Sequence, residues 1–139
     1  MLLANNAPNA MPGKRLLLDT NAVVALLQGH TALATLTDSA EWLGISVITA
    51  LEFSGFAGLT DADRLLFTEF TKRVGVIDLT FTDQVLIDTI NALRSSRALK
   101  LPDAIILATA IVSQAVLLSR DDQLLRLNGV VAGAAVRDF

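Results

Sequence analysis

The sequence predicts an α/β fold in a single domain, with a parallel central sheet of about four to five strands and helices on both faces. Three observations predict it. Short apolar runs that read as strands alternate with helical stretches across short connections, an order that belongs to parallel sheets joined by helical crossovers. An apolar share of 53% fits a sheet covered on both sides, or an extra surface buried against a partner. A chain of 139 residues also matches one domain, large enough to bury roughly two thirds of its unfolded surface.

The elements follow in order. Arg15 to Leu18 (RLLL) reads as the first strand, and Thr20 to Gln28 as a helix closed by Gly29. Apolar residues surround that helix almost completely, so it is expected to be buried. Thr31 to Trp42 is expected as a second helix capped by Thr31, and Gly44 to Ile48 as the second strand. Thr49 and Glu52 have the spacing of a capping box, which would open a third helix running to about Ala57 and ending at Gly58. A fourth helix begins at Thr60, with Ala62, Leu65, Leu66 and Phe70 on its apolar face.

Gly75 to Leu79 is the third strand, and Thr82 to Arg97 the longest amphipathic helix, with Val85, Leu86, Thr89, Ile90 and Leu93 at helical spacing. Its cations Arg94 and Arg97 sit where the helix dipole favours them. Pro102 fits the first turn of a helix over Asp103 to Gln114. Ala115 to Leu118 is the fourth strand, Asp121 to Leu127 a short helix and Gly129 to Val136 a last strand. Residues 1–13 have neither a basic start nor a sustained apolar segment, so a flexible tail is expected there and the domain over 14–139, with Met11 as a second candidate start.

Composition removes several chemistries. With no cysteine, disulfides and thiolate metal sites are excluded, and the reducing cytoplasm is the expected location. His30 is the one histidine, so zinc sites built on two or three imidazoles are excluded too. No apolar run reaches the ~18 residues of a spanning helix, and no membrane association is expected. Any metal must be held by oxygen.

Four carboxylates then stand out. Asp19 directly follows the first strand, Glu52 lies just past the second, Asp121 just past the fourth, and Asp103 in a first helical turn behind Pro102. Each has an ordinary explanation: Asp19 and Asp121 as helix caps, Glu52 as half of a capping box, Asp103 as a charge favoured by the helix dipole. Taken together they point to one edge of one sheet, the edge where open α/β folds bind ligands. Four clustered carboxylates repel unless cations sit among them, and an all-oxygen set selects Mg²⁺ or Mn²⁺, as one or two ions. Such ions activate water and stabilise a leaving oxygen in phosphodiester hydrolysis.

The formal charge of −3 at first argues against a polyanionic partner. Setting those four aside from the 14 acidic residues leaves 10 against 11 basic ones. Once the site is neutralised, Arg97, Lys100 and Arg120 become candidates to meet a phosphate backbone, with Arg94 and Arg126 nearby in sequence.

The segments LLLDTNAVVALL, SVITALEF, LPDAIILATA and LLSRDDQLLRL, in that order, resemble the PIN domain, and within it the VapC-like toxin ribonucleases of toxin–antitoxin pairs. The likeness covers about Arg15 to Leu127. It implies that the family's acidic cluster falls on Asp19, Glu52, Asp103 and Asp121, with Asp19, Asp103 and Asp121 holding metal and Glu52 joining directly or through water. Asn21 matches the family's Asn after the first acid, and Ser119 stands where a Thr is more usual. The resemblance further implies a metal-dependent endoribonuclease, a homodimer, and inhibition by a small antitoxin that covers the site. Helices at Thr31 to Trp42 and Thr60 to Arg73 would supply the partner surfaces. The chain departs from the family in its longer start, in Ser119, and in Asp122, an extra acid beside the last ligand.

Two other readings compete. A PIN scaffold without activity would serve binding or regulation. A receiver-like signalling domain would need paired acids after the first strand, an Asp after the third and a late Lys. Here one Asp follows the first strand, Leu79 and Thr80 follow the third, and no Lys comes after Lys100.

Overall fold

The computed structural model describes residues 14–139, and the expected N-terminal tail lies outside them. Five strands, β1 (Arg15–Leu18), β2 (Trp42–Ser46), β3 (Gly75–Ile77), β4 (Val116–Leu118) and β5 (Val136–Arg137), form one parallel sheet in the order β3-β2-β1-β4-β5. The helices are α1 (Thr20–Leu27), α2 (Thr31–Asp38), α3 (Val47–Ser54), α4 (Asp61–Thr71), α5 (Gln84–Arg97), α6 (Leu101–Val112) and α7 (Asp122–Leu125).

Leu16 and Leu18 of β1 point to one side, with Ala22 and Val23 of α1, Leu33 of α2 and Phe53 of α3. Leu17 points to the other, with Leu86, Ile90 and Leu93 of α5 and the run Ala104 to Ala108 of α6. The period-two alternation of a strand thus feeds two cores. α6 is buried continuously from Ala104 to Ala110, as an all-round apolar helix requires.

Several boundaries differ from expectation, and the displaced caps explain them. β2 begins at Trp42 and ends at Ser46, because the Ser46 hydroxyl accepts from the Ile48 amide and starts α3 there. Thr49 is therefore inside the helix, and its expected capping box with Glu52 does not form; α3 ends at Ser54, well before Ala57. α2 stops at Asp38, and its cap is the His30 ring, whose Nδ1 accepts from the Leu33 amide, in place of Thr31. A capping box does form at Thr60, with Asp63. On α4, however, Ala62, Leu65 and Leu66 are exposed; Phe70 faces the core as expected, with Phe67 beside it. Val85 of α5 also faces outward. β3, β4 and α7 are shorter than expected, and the last strand is confined to Val136–Arg137.

Glycine is required at one place in the sheet. Gly44 and Gly75 are register partners on β2 and β3, and the Trp42 ring lies across both. A Cβ at Gly44 would collide with that ring. The Arg15 guanidinium stacks on the ring's outer face at 4.4 Å, and its Nε donates to the Ser113 carbonyl at 2.9 Å.

Candidate active site

The chain steps from β1 outward through β2 and β3, then returns to place β4 on the other side of β1. Between the carboxyl ends of β1 and β4 the sheet order reverses, and the crevice left there is where doubly wound sheets hold ligands. Asp19 leaves β1 and Asp121 leaves β4 at that point.

Asp19 is buried, and its backbone N–H donates to the Leu118 carbonyl at 3.0 Å. Its Oδ1 accepts from the Thr20 amide at 2.7 Å, capping α1, so the ordinary explanation of this residue holds as well. Its Oδ2 accepts from the fully buried Ser119 hydroxyl at 2.7 Å and from Asn21 Nδ2 at 3.4 Å. Ser119 Oγ in turn accepts from the Asp121 amide at 3.0 Å, and Asn21 Oδ1 from the Arg120 amide at 3.2 Å. Ser119 and Asn21 thus tie the loop after β4 to the loop after β1. Asp121 Oδ1 caps α7 through the Gln123 and Leu124 amides.

Glu52 reaches the same opening from α3, where its carboxylate accepts from the Thr20 hydroxyl at 2.6 Å. Asp103, in the first turn of α6 behind Pro102, completes the set. All four carboxylates line one cavity of about 510 Å³. Its other half is apolar, formed by Val24, Phe53, Phe56, Leu59 and Leu66, with Asp63 beyond them.

The electrostatics follow from this crowding. Burial pushes the Asp19 carboxyl above its ordinary range; the bonds from Ser119 and Thr20 pull it back, and the charges of Glu52 and Asp121 push it up again. Asp103 is also raised, first by burial and then by Asp121, Asp19 and Glu52, with Lys100 opposing. The single ion pair among the described residues, Lys72 with Glu69, lies on α4 and α4's C-cap and neutralises none of the four.

The donor set is all carboxylate oxygen, which suits Mg²⁺ or Mn²⁺. Among the described residues no three acids close into a ready-made cage.

Of the candidate RNA contacts, Lys100 is the N-cap residue of α6 beside Asp103, and Arg97 ends α5. Arg120 carries its guanidinium 4.3 Å above the Phe139 ring, which His30 meets edge-on from another side. Asp122 is exposed and does not line the cavity. Sequence reasoning missed Thr20, Thr49 and the apolar half of the cavity. Thr20 stood inside the DTN triplet, flanked by two residues singled out for their chemistry.

A PIN domain family model matches residues 16–130. Among solved structures, the chain is similar to one from a toxin–antitoxin complex of Klebsiella pneumoniae, at 28% identity and a TM-score of 0.68 over 86% of this chain and 98% of that one. It is also similar to a chain of VapBC2 from Rickettsia felis bound to a promoter DNA fragment, at 16% identity and a TM-score of 0.72 over 89% and 98%. A third likeness is to VapBC-5 from Mycobacterium tuberculosis, at 21% identity and a TM-score of 0.63 over 92% and 98%. No curated protein matches the chain.

Proposed function

We propose, from the premise that this chain belongs to the PIN domain family, that it is a metal-dependent endoribonuclease and the toxin of a toxin–antitoxin pair. The observation that carries the reading is the meeting of Asp19, Glu52, Asp103 and Asp121 around one cavity at the β1/β4 crevice. Asp19, Asp103 and Asp121 would hold Mg²⁺ or Mn²⁺, as one or two ions, with Glu52 joining directly or through water. When bound, such an ion supplies the charge that acidifies a water and steadies a leaving phosphodiester oxygen.

The chain's own residues do the rest. Ser119 and Asn21 orient Asp19. Asp121 is fixed by the amides of α7. Lys100, beside Asp103, and Arg97, one helix end away, would meet the phosphates flanking the scissile bond. Arg120 stands at the same loop, its cation resting on Phe139.

The antitoxin partner is supported by the likeness to the Klebsiella complex and by the cavity itself, which continues from acids into exposed Phe56 and Leu66. A small protein that laid apolar side chains there and a cation against the acids would block the site. Homodimerisation through other exposed apolar residues, such as Phe81 and Val85, belongs to the same reading. No helix among the described residues is long and apolar enough to cross a membrane, and the proposed place of action is the cytoplasm.

The test is purified protein on RNA with Mg²⁺ or Mn²⁺, beside an EDTA control and Asp19→Asn. Cleavage should occur in the first and be lost in the other two. Equal cleavage in all three would remove the proposal. Wild-type protein that binds its partner but never cleaves would assign the chain to a non-catalytic PIN scaffold.

A further inference from the structure

The four carboxylates are not held alike. Asp19 accepts from two side chains and an amide, Asp121 from two amides, and Asp103 sits in a helix first turn. Glu52 is exposed, on a long side chain, and among the described residues its carboxylate has one hydrogen-bond partner, the Thr20 hydroxyl at 2.6 Å. That bond crosses from α1 to α3. Behind it lies Thr49, one turn before Glu52 on the same face of α3, fully buried, with its hydroxyl oxygen 3.4 Å from that of Thr20.

The direction of this chain follows from counting protons. A hydroxyl has one hydrogen to donate. A carboxylate oxygen accepts, and the 2.6 Å contact to Glu52 takes the Thr20 hydrogen. The longer contact must then be donated by Thr49 to Thr20. A buried donor thus points outward through Thr20 to the exposed carboxylate, and each bond polarises the next.

We propose that Thr20 is the positioning residue for Glu52: a Thr49–Thr20–Glu52 hydroxyl chain selects the rotamer in which this glutamate faces the other three acids. The proposal rests on the metal-dependent reading above. It accounts for two facts that helix capping leaves unexplained. Thr49 and Glu52 keep capping-box spacing inside a helix that Ser46 already caps, and a threonine on α1 spends its hydroxyl on another helix. Without the Thr20 hydroxyl, Glu52 would spread over its rotamers and meet an ion only part of the time.

The experiment uses the full chain with Mn²⁺ as probe and calorimetry as the first readout. Thr20→Val removes the hydroxyl at nearly constant volume and should weaken Mn²⁺ binding roughly 10-fold, the lower end for partners that orient a ligand. Thr20→Ser keeps the hydroxyl and should bind as wild type. Thr20→Val combined with Glu52→Gln should bind no more weakly than Glu52→Gln alone. In RNA cleavage, the Mn²⁺ midpoint of Thr20→Val should move by the same factor while the plateau stays close to wild type. If melting shows that Thr20→Val does not fold, Thr20→Ala carries the same comparison.

Wild-type affinity in the hydroxyl-free variant, beside weakened Glu52→Gln, would overturn the positioning role and leave the metal site standing. Additive losses in the double variant would also overturn it. Wild-type protein that binds no Mn²⁺ would overturn the metal-dependent reading, and the positioning role with it.

Discussion

Ser119→Ala tests the joint between the two site loops. Its hydroxyl is fully buried, donates to Asp19 Oδ2 at 2.7 Å and accepts from the Asp121 amide at 3.0 Å. Alanine removes both bonds without changing the backbone. A hydrogen bond to a charged group contributes about 1.5–3 kcal/mol and a neutral one about 0.5–1.5 kcal/mol. The expected loss at neutral pH is therefore about 2–4 kcal/mol, or roughly 6–16 °C in Tm for a domain of this size.

The loss should also depend on pH. The folded-state pKa of Asp19 lies above the ordinary 3.8, so the folded protein holds that proton more tightly than the unfolded chain. Stability from this group is fully present below 3.8 and falls as pH rises through the folded value. Ser119 opposes that fall by stabilising the charged form. The gap between wild type and Ser119→Ala should therefore be small in acid and widen toward neutrality. Urea denaturation in EDTA across that range measures it. A loss under about 0.5 kcal/mol at neutral pH, or one that does not change with pH, would refute the role given to this hydroxyl.

In EDTA, Asp19→Asn should melt above wild type, because it removes a buried charge that burial and its neighbours disfavour; a lower Tm would show that capping and hydrogen bonding dominate there. Gly44→Ala should cost about 1–3 kcal/mol by forcing the Trp42 ring off the β2–β3 surface, read by urea denaturation and the tryptophan emission. If stability and emission are unchanged, the ring does not need that glycine. Arg97→Ala should weaken RNA binding and reduce its salt slope by about 1, with the melting curve unmoved. An unaltered slope would place Arg97 outside the RNA path.

The strands and both cores were legible because burial on two faces leaves continuous runs such as RLLL and AVLL. Asp19 and Asp121 stood out because each closely follows such a run, Glu52 because it lies just past one, and Asp103 because it opens a helix behind Pro102. Local chemistry misled at α3, where Thr49 and Glu52 have the spacing of a capping box and yet bond toward α1, a choice made by tertiary packing. Ser46 took the cap three residues earlier. The apolar face expected on α4 grouped Phe70 with Leu65 and Leu66, whereas Phe70 meets the core beside Phe67, and periodicity could not choose between those neighbours. The apolar half of the cavity comes from α1, α3, α4 and the connection between α3 and α4 together, so no single segment carried its pattern.

The bond between Ser119 and Asp19 joins residues 100 apart in the chain. During synthesis β1 emerges early and finds β2 next, but its other neighbour is made last among the three. At about 5–20 residues per second the ribosome takes roughly 5–20 s to supply that edge. Until Val116–Leu118 appears, Asp19 has neither the Leu118 carbonyl to seat its amide nor the Ser119 hydroxyl to turn its carboxylate. A nascent or prematurely terminated chain that stops short of β4 therefore carries up to three of the four acids, Asp19, Glu52 and Asp103, without the Ser119 hydroxyl that orients the first.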